Sequence, residues 1–271
     1  MHIVVCVKQV PNPEAAFSML KVDEQAKQVI PASGLQLVMS PFDEQALEAA
    51  LRIREAAGAT KITALSIGPE SARAILKHAL AMGADEALLV QDEALRDAGS
   101  EVNALALTRA IAQLGAVDLI LTGRQAADWD AGVAGCGIAE LMDLPLVTFA
   151  RKVEVNRDAE GRSVRVERVL ADGFETVQAE LPAVVTVSNE LGAPRTPTLR
   201  ETMRAARKPL AVRSAADIGL AQADIERMAS RRVRERLFVP VKRGQCELIA
   251  GVDEVEQAAA LVQRLREDRL V

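Results

Sequence analysis

The segment from residue 121 to residue 135 combines residue types that can bind a phosphate group. It follows a short apolar run and carries Gly123, Gly132 and Gly135 among other small residues. Small residues let backbone N–H groups approach a phosphate, and the helix predicted over 133–142 would turn its positive end toward that group. We therefore interpret the segment as a candidate nucleotide site. The alternative is an ordinary strand–helix connection whose glycines serve only the turn.

Other common kinds of site are not indicated. No Gly-x-Gly-x-x-Gly follows the first apolar run, where Val-Lys-Gln-Val-Pro-Asn stands instead, and no Walker phosphate loop occurs. The two histidines form no recognisable nucleophilic triad with Ser and an acid, so we predict no catalytic residue. Asp43 and Glu44 look like helix-start acids. Cys6, Cys136 and Cys246 form no CxxC pair, so we predict no metal site.

Composition is that of an ordinary globular protein. The chain of 271 residues has 38 acidic and 33 basic residues and a formal net charge of -5, which argues against nucleic-acid binding. No apolar run approaches the roughly 20 residues of a membrane helix, and the first residues lack the pattern of a signal peptide. The three widely separated cysteines are typical of reduced thiols. We therefore expect a cytoplasmic protein.

Short apolar runs that alternate with helical patterns predict the elements around the candidate site. Ser40 followed by Pro41 predicts a helix start, and Gly83 predicts a helix end. This alternation predicts an α/β fold with a doubly wound, mostly parallel, Rossmann-like sheet. The first strands are predicted at Ile3–Val7, Lys61–Ile67, Ala87–Val90, Leu119–Thr122 and Leu146–Thr148.

The second half of the chain changes character. Residues from about 151 to 180 read as a small antiparallel meander, after which Leu181–Val187 returns as an apolar strand. We therefore place one nucleotide-binding domain at 1–190. Residues 191–271 are predicted to form a loop and a C-terminal arm that packs on a partner subunit. A small second domain is the alternative.

Several motifs resemble those of electron transfer flavoprotein β subunits. Each is weak alone, but they occur in the family's order from the first strand to about Arg207, and the combination is specific. The motifs are Val-Lys-Gln-Val-Pro at 7–11, Pro-Phe-Asp-Glu-Gln-Ala-Leu-Glu-Ala-Ala at 41–50, Ala-Leu-Ala-Met-Gly-Ala-Asp at 79–85, Gly-Arg-Gln-Ala-x-Asp at 123–128 and Leu-Pro-Ala-Val-Val-Thr at 181–186.

The resemblance implies a heterodimeric electron carrier rather than an enzyme. In this family the α subunit holds the redox-active FAD, and the β subunit binds AMP or, in the electron-bifurcating branch, a second FAD. Electrons pass between a flavin-containing dehydrogenase and another redox partner, and a membrane is reached only through a quinone-linked partner. By position, the resemblance implies nucleotide contacts from Val7, Lys8, Ser40, Ile67, Gly123, Arg124, Gln125, Ala126, Asp128, Ala131, Gly132, Val133, Ala134 and Gly135.

The loop around Leu191 stands where the family has its recognition loop. In the family, a leucine of that loop inserts into a hydrophobic pocket on the dehydrogenase. The resemblance therefore implies that Leu191, Pro194 and Arg195 bind the partner. We expect Leu191 to be exposed and held by Pro194 as a low-entropy anchor.

The chain departs from both branches of the family. AMP-binding members usually carry Asn-Gln-Thr where Gly132-Val133-Ala134 stands, and bifurcating members usually carry Asp-Gly-Asp-Thr where Asp128-Trp129-Asp130-Ala131 stands. Ser40 stands where Asn is common. Backbone amides, the helix end and Arg124 are then left to hold a phosphate in a roomier site, so AMP and a second FAD both stay open. A stand-alone adenine-nucleotide-binding module without a redox role is the alternative function.

Overall fold

Strands and helices alternate along much of the chain, as the apolar runs predict. The computed structural model describes residues 1–58, 60–96, 98–158, 161–240, 244 and 246–271. The strands are β1 His2–Cys6, β2 Gln9–Pro11, β3 Leu20–Asp23, β4 Gln28–Pro31, β5 Leu37–Met39, β6 Lys61–Ile67, β7 Glu86–Val90, β8 Leu119–Gly123, β9 Leu146–Asp158, β10 Gly161–Leu170, β11 Gly173–Glu180, β12 Ala183–Val187 and β13 Ala211–Arg213. The helices are α1 Pro41–Ala57, α2 Arg73–Met82, α3 Ser100–Ala112, α4 Ala134–Met142, α5 Leu199–Arg207, α6 Gln222–Ala229 and α7 Glu254–Glu267.

One large sheet organises the larger of two structural units. The larger unit contains Met1–Lys21 and Val29–Glu235, and the smaller contains Val22–Gln28 and Arg236–Val271. The sheet has nine strands in the order β11-β10-β9-β12-β8-β1-β6-β7-β13. All neighbouring pairs from β9 to β13 in this order are parallel, and β10 and β11 form an antiparallel meander with β9 at one edge. The predicted doubly wound, mostly parallel sheet with a small meander is confirmed.

The two faces of β1 explain why helices cover both sides of the sheet. Ile3 and Val5 pack in a core with residues of α1 and α2, while Val4 and Cys6 pack in a second core with residues of α3 and α4. Successive side chains of a strand point to opposite faces, so a strand covered on both faces needs an unbroken apolar run. All of β1 is buried, which is why its composition predicts it correctly.

Local signals determine where the first two helices begin and end. α1 begins at Pro41 with Ser40 at the N-cap position, as predicted, although the Ser40 side chain makes no capping hydrogen bond. α2 ends at Met82, and Gly83 follows with a φ of 134° while its N–H donates to the Ala79 carbonyl. Glycine adopts positive φ without steric cost, so Gly83 ends the helix as the sequence predicts.

The chain beyond β12 contributes more to the larger unit than the sequence predicts. β13 extends the sheet beside β7, and α5 and α6 pack against α2 and α3. Ala205, Ile218 and Ile225 are buried there. The larger unit therefore extends to Glu235, whereas the sequence suggests a boundary near residue 190. Isolated apolar residues among many arginines give no periodic signal from which this packing could be predicted.

The smaller unit contains α7 and the chain that leads to it. The Asp253 side chain caps α7 by accepting the Glu256 N–H at 2.9 Å, and Arg264 pairs with Glu247 at 3.0 Å. None of the α7 residues is buried, and Val255 is 78% exposed. Helix α7 thus has little core of its own, and an arm that packs on a partner subunit stays a prediction.

Candidate functional site

The order of connections in the sheet creates a crevice at the carboxyl ends of β1 and β8. The chain passes from β1 through β6 to β7 on one side and then crosses to β8 on the other side of β1. Connections that leave these two strands diverge, and open α/β sheets bind their ligands at such a point. A cavity of about 740 Å³ is lined by residues from both strand ends.

The cavity is lined by most of the residues for which the resemblance implies contact with a nucleotide. Ser40 and Gly135 are the two that do not line it. Contact of the others with a nucleotide stays a prediction, but their convergence from separate parts of the chain is a structural fact. The predicted residues that line the cavity are Val7, Lys8, Ile67, Gly123, Arg124, Gln125, Ala126, Asp128, Ala131, Gly132, Val133 and Ala134.

The last residue of β8 and the first residue of the loop that follows it donate their backbone N–H groups to acceptors within the protein. Gly123 donates its N–H to the Asp43 carboxylate at 3.0 Å, and Arg124 donates its N–H to the Val187 carbonyl at 2.8 Å. These two amides therefore do not face a phosphate. Gly123 is required for close packing instead, because an added Cβ would lie 2.5 Å from an Asp43 oxygen and 2.7 Å from the Phe42 Cβ.

The first turn of α4 has backbone N–H groups that could face a phosphate, unlike those of Gly123 and Arg124. Helix α4 begins at Ala134, and the Gly137 N–H reaches back to the Val133 carbonyl at 2.8 Å. The earlier N–H groups of a helix have no intrahelical acceptor, and they carry the positive end of its dipole. Val133 and Ala134 line the cavity, so this positive end lies at its wall.

Gly135 and Ser40 have other roles than lining the cavity. An added Cβ at Gly135 would lie 2.7 Å from Thr122 Oγ1 and 2.7 Å from Thr186 Cγ2, so the glycine lets α4 lie close against the sheet. Ser40 is fully buried before α1, and its hydroxyl has no hydrogen-bond partner among the described residues. Both residues lie outside the cavity lining.

The carboxylate of Asp43 joins the two strand ends that flank the crevice. Its Oδ2 accepts the Lys8 N–H at 2.8 Å, and its Oδ1 accepts the Gly123 N–H at 3.0 Å. Burial raises the pKa of this carboxyl to about 7, although the two amide hydrogen bonds and the Lys8 charge oppose that shift. The sequence indicates only a helix-start acid at Asp43, because one of its partners lies 80 residues away.

Two cationic side chains come from the ends of β1 and β8. Lys8 Nζ pairs with Asp128 at 2.6 Å. The Arg124 guanidinium carbon lies 5.1 Å from the ring centroid of Phe42 and 5.7 Å from that of Phe149. Arg124 Nε is buried and has no hydrogen-bond partner in the described part of the chain. A buried donor without a partner is costly, so this atom fits a polar or anionic ligand.

A second wall of the cavity comes from residues that the sequence analysis missed. Ser100 and Asn103 of α3 line it, as do Arg232 and Arg234 after α6. Arg232 pairs with Glu101 at 3.0 Å, and Asn103 Oδ1 is a buried acceptor without a partner among the described residues. No motif marks these positions in the sequence. Together with Arg124 and the α4 turn, they offer positive charge, donors and an acceptor, which is a set that fits a nucleotide.

The loop after β12 differs from its prediction. Leu191 is only 8% exposed and packs in the core that contains α1, so its predicted exposure is wrong. The Arg52 side chain donates to the Leu191 carbonyl at 3.0 Å, and Arg195 pairs with the buried Glu48 at 2.7 Å. These contacts hold the loop against α1. Partner binding by Leu191, Pro194 and Arg195 stays a prediction.

Comparison with known proteins identifies the same family as the motifs do. A sequence model of the electron transfer flavoprotein domain matches residues 28–218. The chain is 36% identical to electron transfer flavoprotein subunit beta of Megasphaera elsdenii, over 95% of this chain and 94% of that protein. It is 34% identical to caffeyl-CoA reductase-Etf complex subunit CarD of Acetobacterium woodii over 100% of both chains, and 33% identical to protein FixA of Azorhizobium caulinodans over 98% and 94%. The chain therefore belongs to the electron transfer flavoprotein family.

Proposed function

We propose that this chain is the β subunit of a heterodimeric electron transfer flavoprotein and that it binds a second FAD in the cavity between β1 and β8. Electron transfer is the role of its family and relatives. The α subunit would hold the other FAD. The observation that carries the proposal is the cavity at the point where the winding of the sheet reverses, with a helix start and cationic side chains at its wall.

The size and chemistry of the cavity favour FAD over AMP. Ligand sites in proteins span roughly 300–1,000 Å³, and this cavity, at about 740 Å³, has more room than a mononucleotide fills. Gly132, Val133 and Ala134 carry no polar side chain that would fix a single phosphate. Arg232 and Arg234 lie on the second wall, where a longer ligand would reach them. AMP is the alternative occupant.

The protein groups of the site would bind and orient the ligand without acid–base chemistry. The first turn of α4 and Arg124 would hold phosphate oxygens, while Val7, Ile67 and Leu107 would form an apolar part of the wall that excludes water. When bound, FAD supplies the ring that accepts and donates electrons. The contribution of this chain is therefore position and electrostatics.

The proposal includes the partners that such a subunit needs. These are an α subunit and a flavin-containing dehydrogenase, and a relative named as a subunit of a caffeyl-CoA reductase-Etf complex supports a partner of this type. A second FAD would also make the protein a candidate for electron bifurcation. Free cysteines suit a reducing compartment, so we place the protein in the cytoplasm, with any membrane contact made through a quinone-linked partner. Across the described ranges, no helix combines the length and apolarity that a membrane crossing needs.

Identification of the bound nucleotides tests the proposal. The chain is co-expressed with its α subunit, and nucleotides released from the denatured heterodimer are separated and quantified. We expect two FAD and no AMP per heterodimer. One FAD with one AMP would reject the second flavin, and one FAD alone would reject the nucleotide site.

A pair of variants connects the result to the cavity. Ala134→Phe places a ring in the lining and should remove the nucleotide of this subunit. Ala127→Phe, in the loop that precedes α4 and outside the lining, is the matched control and should leave the nucleotide content unchanged. Equal nucleotide loss in both variants would mean that the ligand lies elsewhere.

A further inference from the structure

We propose that Asp43 is a positioning residue that sets the width of the nucleotide site by tying the carboxyl ends of β1 and β8 together. The inference rests on the proposed nucleotide function of the cavity that Asp43 helps to line. It assigns a role to an acid that the sequence indicates only as a helix-start residue.

The Asp43 carboxylate spans the gap at which the two strands separate. β1 and β8 pair in parallel, and their last paired residues are Cys6 and Thr122. Beyond that pair, Lys8 and Gly123 each donate a backbone N–H to a different oxygen of Asp43. The carboxylate therefore continues the link between the strands at the point where the crevice opens.

Asp43 does not act as an ordinary helix cap. In a capping box, an acid in the first turn accepts the N–H of the N-cap residue. Here the N-cap Ser40 donates its N–H to the Lys8 carbonyl at 2.9 Å, and Asp43 accepts the Lys8 N–H. Both backbone groups of Lys8 are thus held by the start of α1. The Lys8 side chain in turn reaches Asp128 across the site, so a shift of Lys8 would move both walls.

The chemistry of the clamp requires a carboxylate. Both partners of Asp43 are N–H donors, and a carboxylate offers an acceptor to each. An amide at this position has one acceptor oxygen and an NH₂ group that would face the second donor. Because the side chain is only 6% exposed, water does not replace the lost bond freely. Asp43→Asn therefore removes one link of the clamp with almost no change of shape.

Asp118 offers a matched control at the opposite end of the parallel strands, where β1 begins. Its Oδ2 accepts the His2 N–H at the amino end of β1 at 2.7 Å, and its Oδ1 pairs with Arg162 at 2.5 Å. It does not line the cavity. Asp118→Asn therefore weakens a carboxylate–amide bond of the same kind without touching the crevice.

Titration of nucleotide-free heterodimer with FAD, and separately with AMP, tests the role of Asp43 above pH 7, where its carboxyl group is ionised. We expect D43N to bind the nucleotide that the natural protein prefers about tenfold more weakly, because one hydrogen bond to a charged group is lost. We expect D118N to change affinity by less than about twofold, since the site is distant, even where both variants lose thermal stability. Equal affinity of D43N and D118N would overturn the role of Asp43. Failure of the natural protein to bind either nucleotide would instead reject the proposed function.

Amide hydrogen exchange gives a readout that does not depend on a loaded site. In nucleotide-free protein, D43N should accelerate exchange at Lys8 and Gly123, whereas D118N should accelerate exchange at His2 alone. Should D43N fail to fold, the natural protein decides the question. FAD must then slow exchange at Lys8 and Gly123 together, and FAD binding that leaves both amides unchanged would overturn the inference.

Discussion

The parallel strands begin at one edge of the sheet, the amino edge, and end at the other, the carboxyl edge. Carboxylates accept strand N–H groups at both edges, but the surroundings of these carboxylates differ. At the amino edge, Asp118 accepts the His2 N–H and Asp85 accepts the Ile62 N–H, and each carboxylate also contacts an arginine. At the carboxyl edge, Asp43 is buried, serves two strands at once and has no arginine partner among the described residues. The Lys8 ammonium group, whose charge acts on Asp43, pairs with Asp128 instead.

This difference separates a stabilising edge from a functional one. Partly exposed ion pairs such as those at the amino edge cost little to form and contribute modestly to stability. A buried carboxylate that relies on two amides is costly, and such groups cluster where a protein shapes a site. The cavity lies at the carboxyl edge, so the costly carboxylate and the candidate site coincide.

The largest expected effect, on both stability and nucleotide binding, comes from adding a side chain at Gly123, where the carboxyl edge is tightly packed. Gly123→Ala would place a Cβ 2.5 Å from an Asp43 oxygen and 2.9 Å from the Phe42 carbonyl carbon. Overpacking against backbone should lower the free energy of unfolding by about 3 kcal/mol and release the nucleotide. Gly173→Ala, where an added Cβ meets nothing within 4 Å, is the control. Equal urea midpoints for the two variants would refute this view of the edge.

The next effect is a pH dependence that only the carboxyl edge should show. Burial raises the pKa of Asp43 from 3.8 to about 7. Between pH 3.8 and about 7, the folded state therefore holds a proton that the unfolded state has released. The resulting stabilisation is fully present below pH 3.8 and is lost as pH rises through about 7. The groups that face Asp43 are the Lys8 ammonium, the Asp128 carboxylate and the Cys6 thiol.

Unfolding free energies measured between pH 5.5 and 7 can reveal this proton. Over this range the natural protein should lose about 2 kcal/mol relative to D43N. D118N should follow the pH curve of the natural protein, because Asp43 is intact in it. Parallel curves for the natural protein and D43N would show that the buried carboxyl does not titrate in this window.

A smaller effect is expected in the loop that follows β12. Burial disfavours the charged form of Glu48, but hydrogen bonds from Arg195 and Arg52 hold its pKa below the usual value. Arg195→Met should cost about 1.5 kcal/mol of unfolding free energy and make the Leu191 loop more sensitive to protease. Arg200→Met, on the exposed side of the next helix, is the control. A loop equally resistant in both variants would mean that α1 does not hold it.

The smallest expected change in stability comes from removing one lysine at each edge, and only nucleotide binding should differ between the two variants. Lys8 and Lys61 each form a partly exposed ion pair, with Asp128 at the carboxyl edge and with Glu86 at the amino edge. Lys8→Met and Lys61→Met should each change the unfolding free energy by about 0.5 kcal/mol. Only the Lys8 variant should weaken nucleotide binding, by about threefold at low salt. Equal nucleotide affinities in the two variants would show that Lys8 does not contribute to nucleotide binding.

Sequence patterns predict the local features of this molecule better than its long-range contacts. The buried runs at β1 and β6 and the helix end at Gly83 follow from composition and backbone preference, and the structure confirms them. The convergence of Asp43, Lys8 and Gly123 depends on the order of strands, which no local pattern contains. The exposure that the sequence predicts for Leu191 is wrong because its burial depends on α1, more than a hundred residues earlier in the chain.

The most direct test is a crystal structure of the heterodimer of this chain with its α subunit. We predict density for an FAD between the ends of β1 and β8, with its phosphates at the first turn of α4 and the Asp43 bonds to Lys8 and Gly123 intact. A crevice that is empty or holds AMP, or a nucleotide bound to this chain at another place, would contradict the assignment.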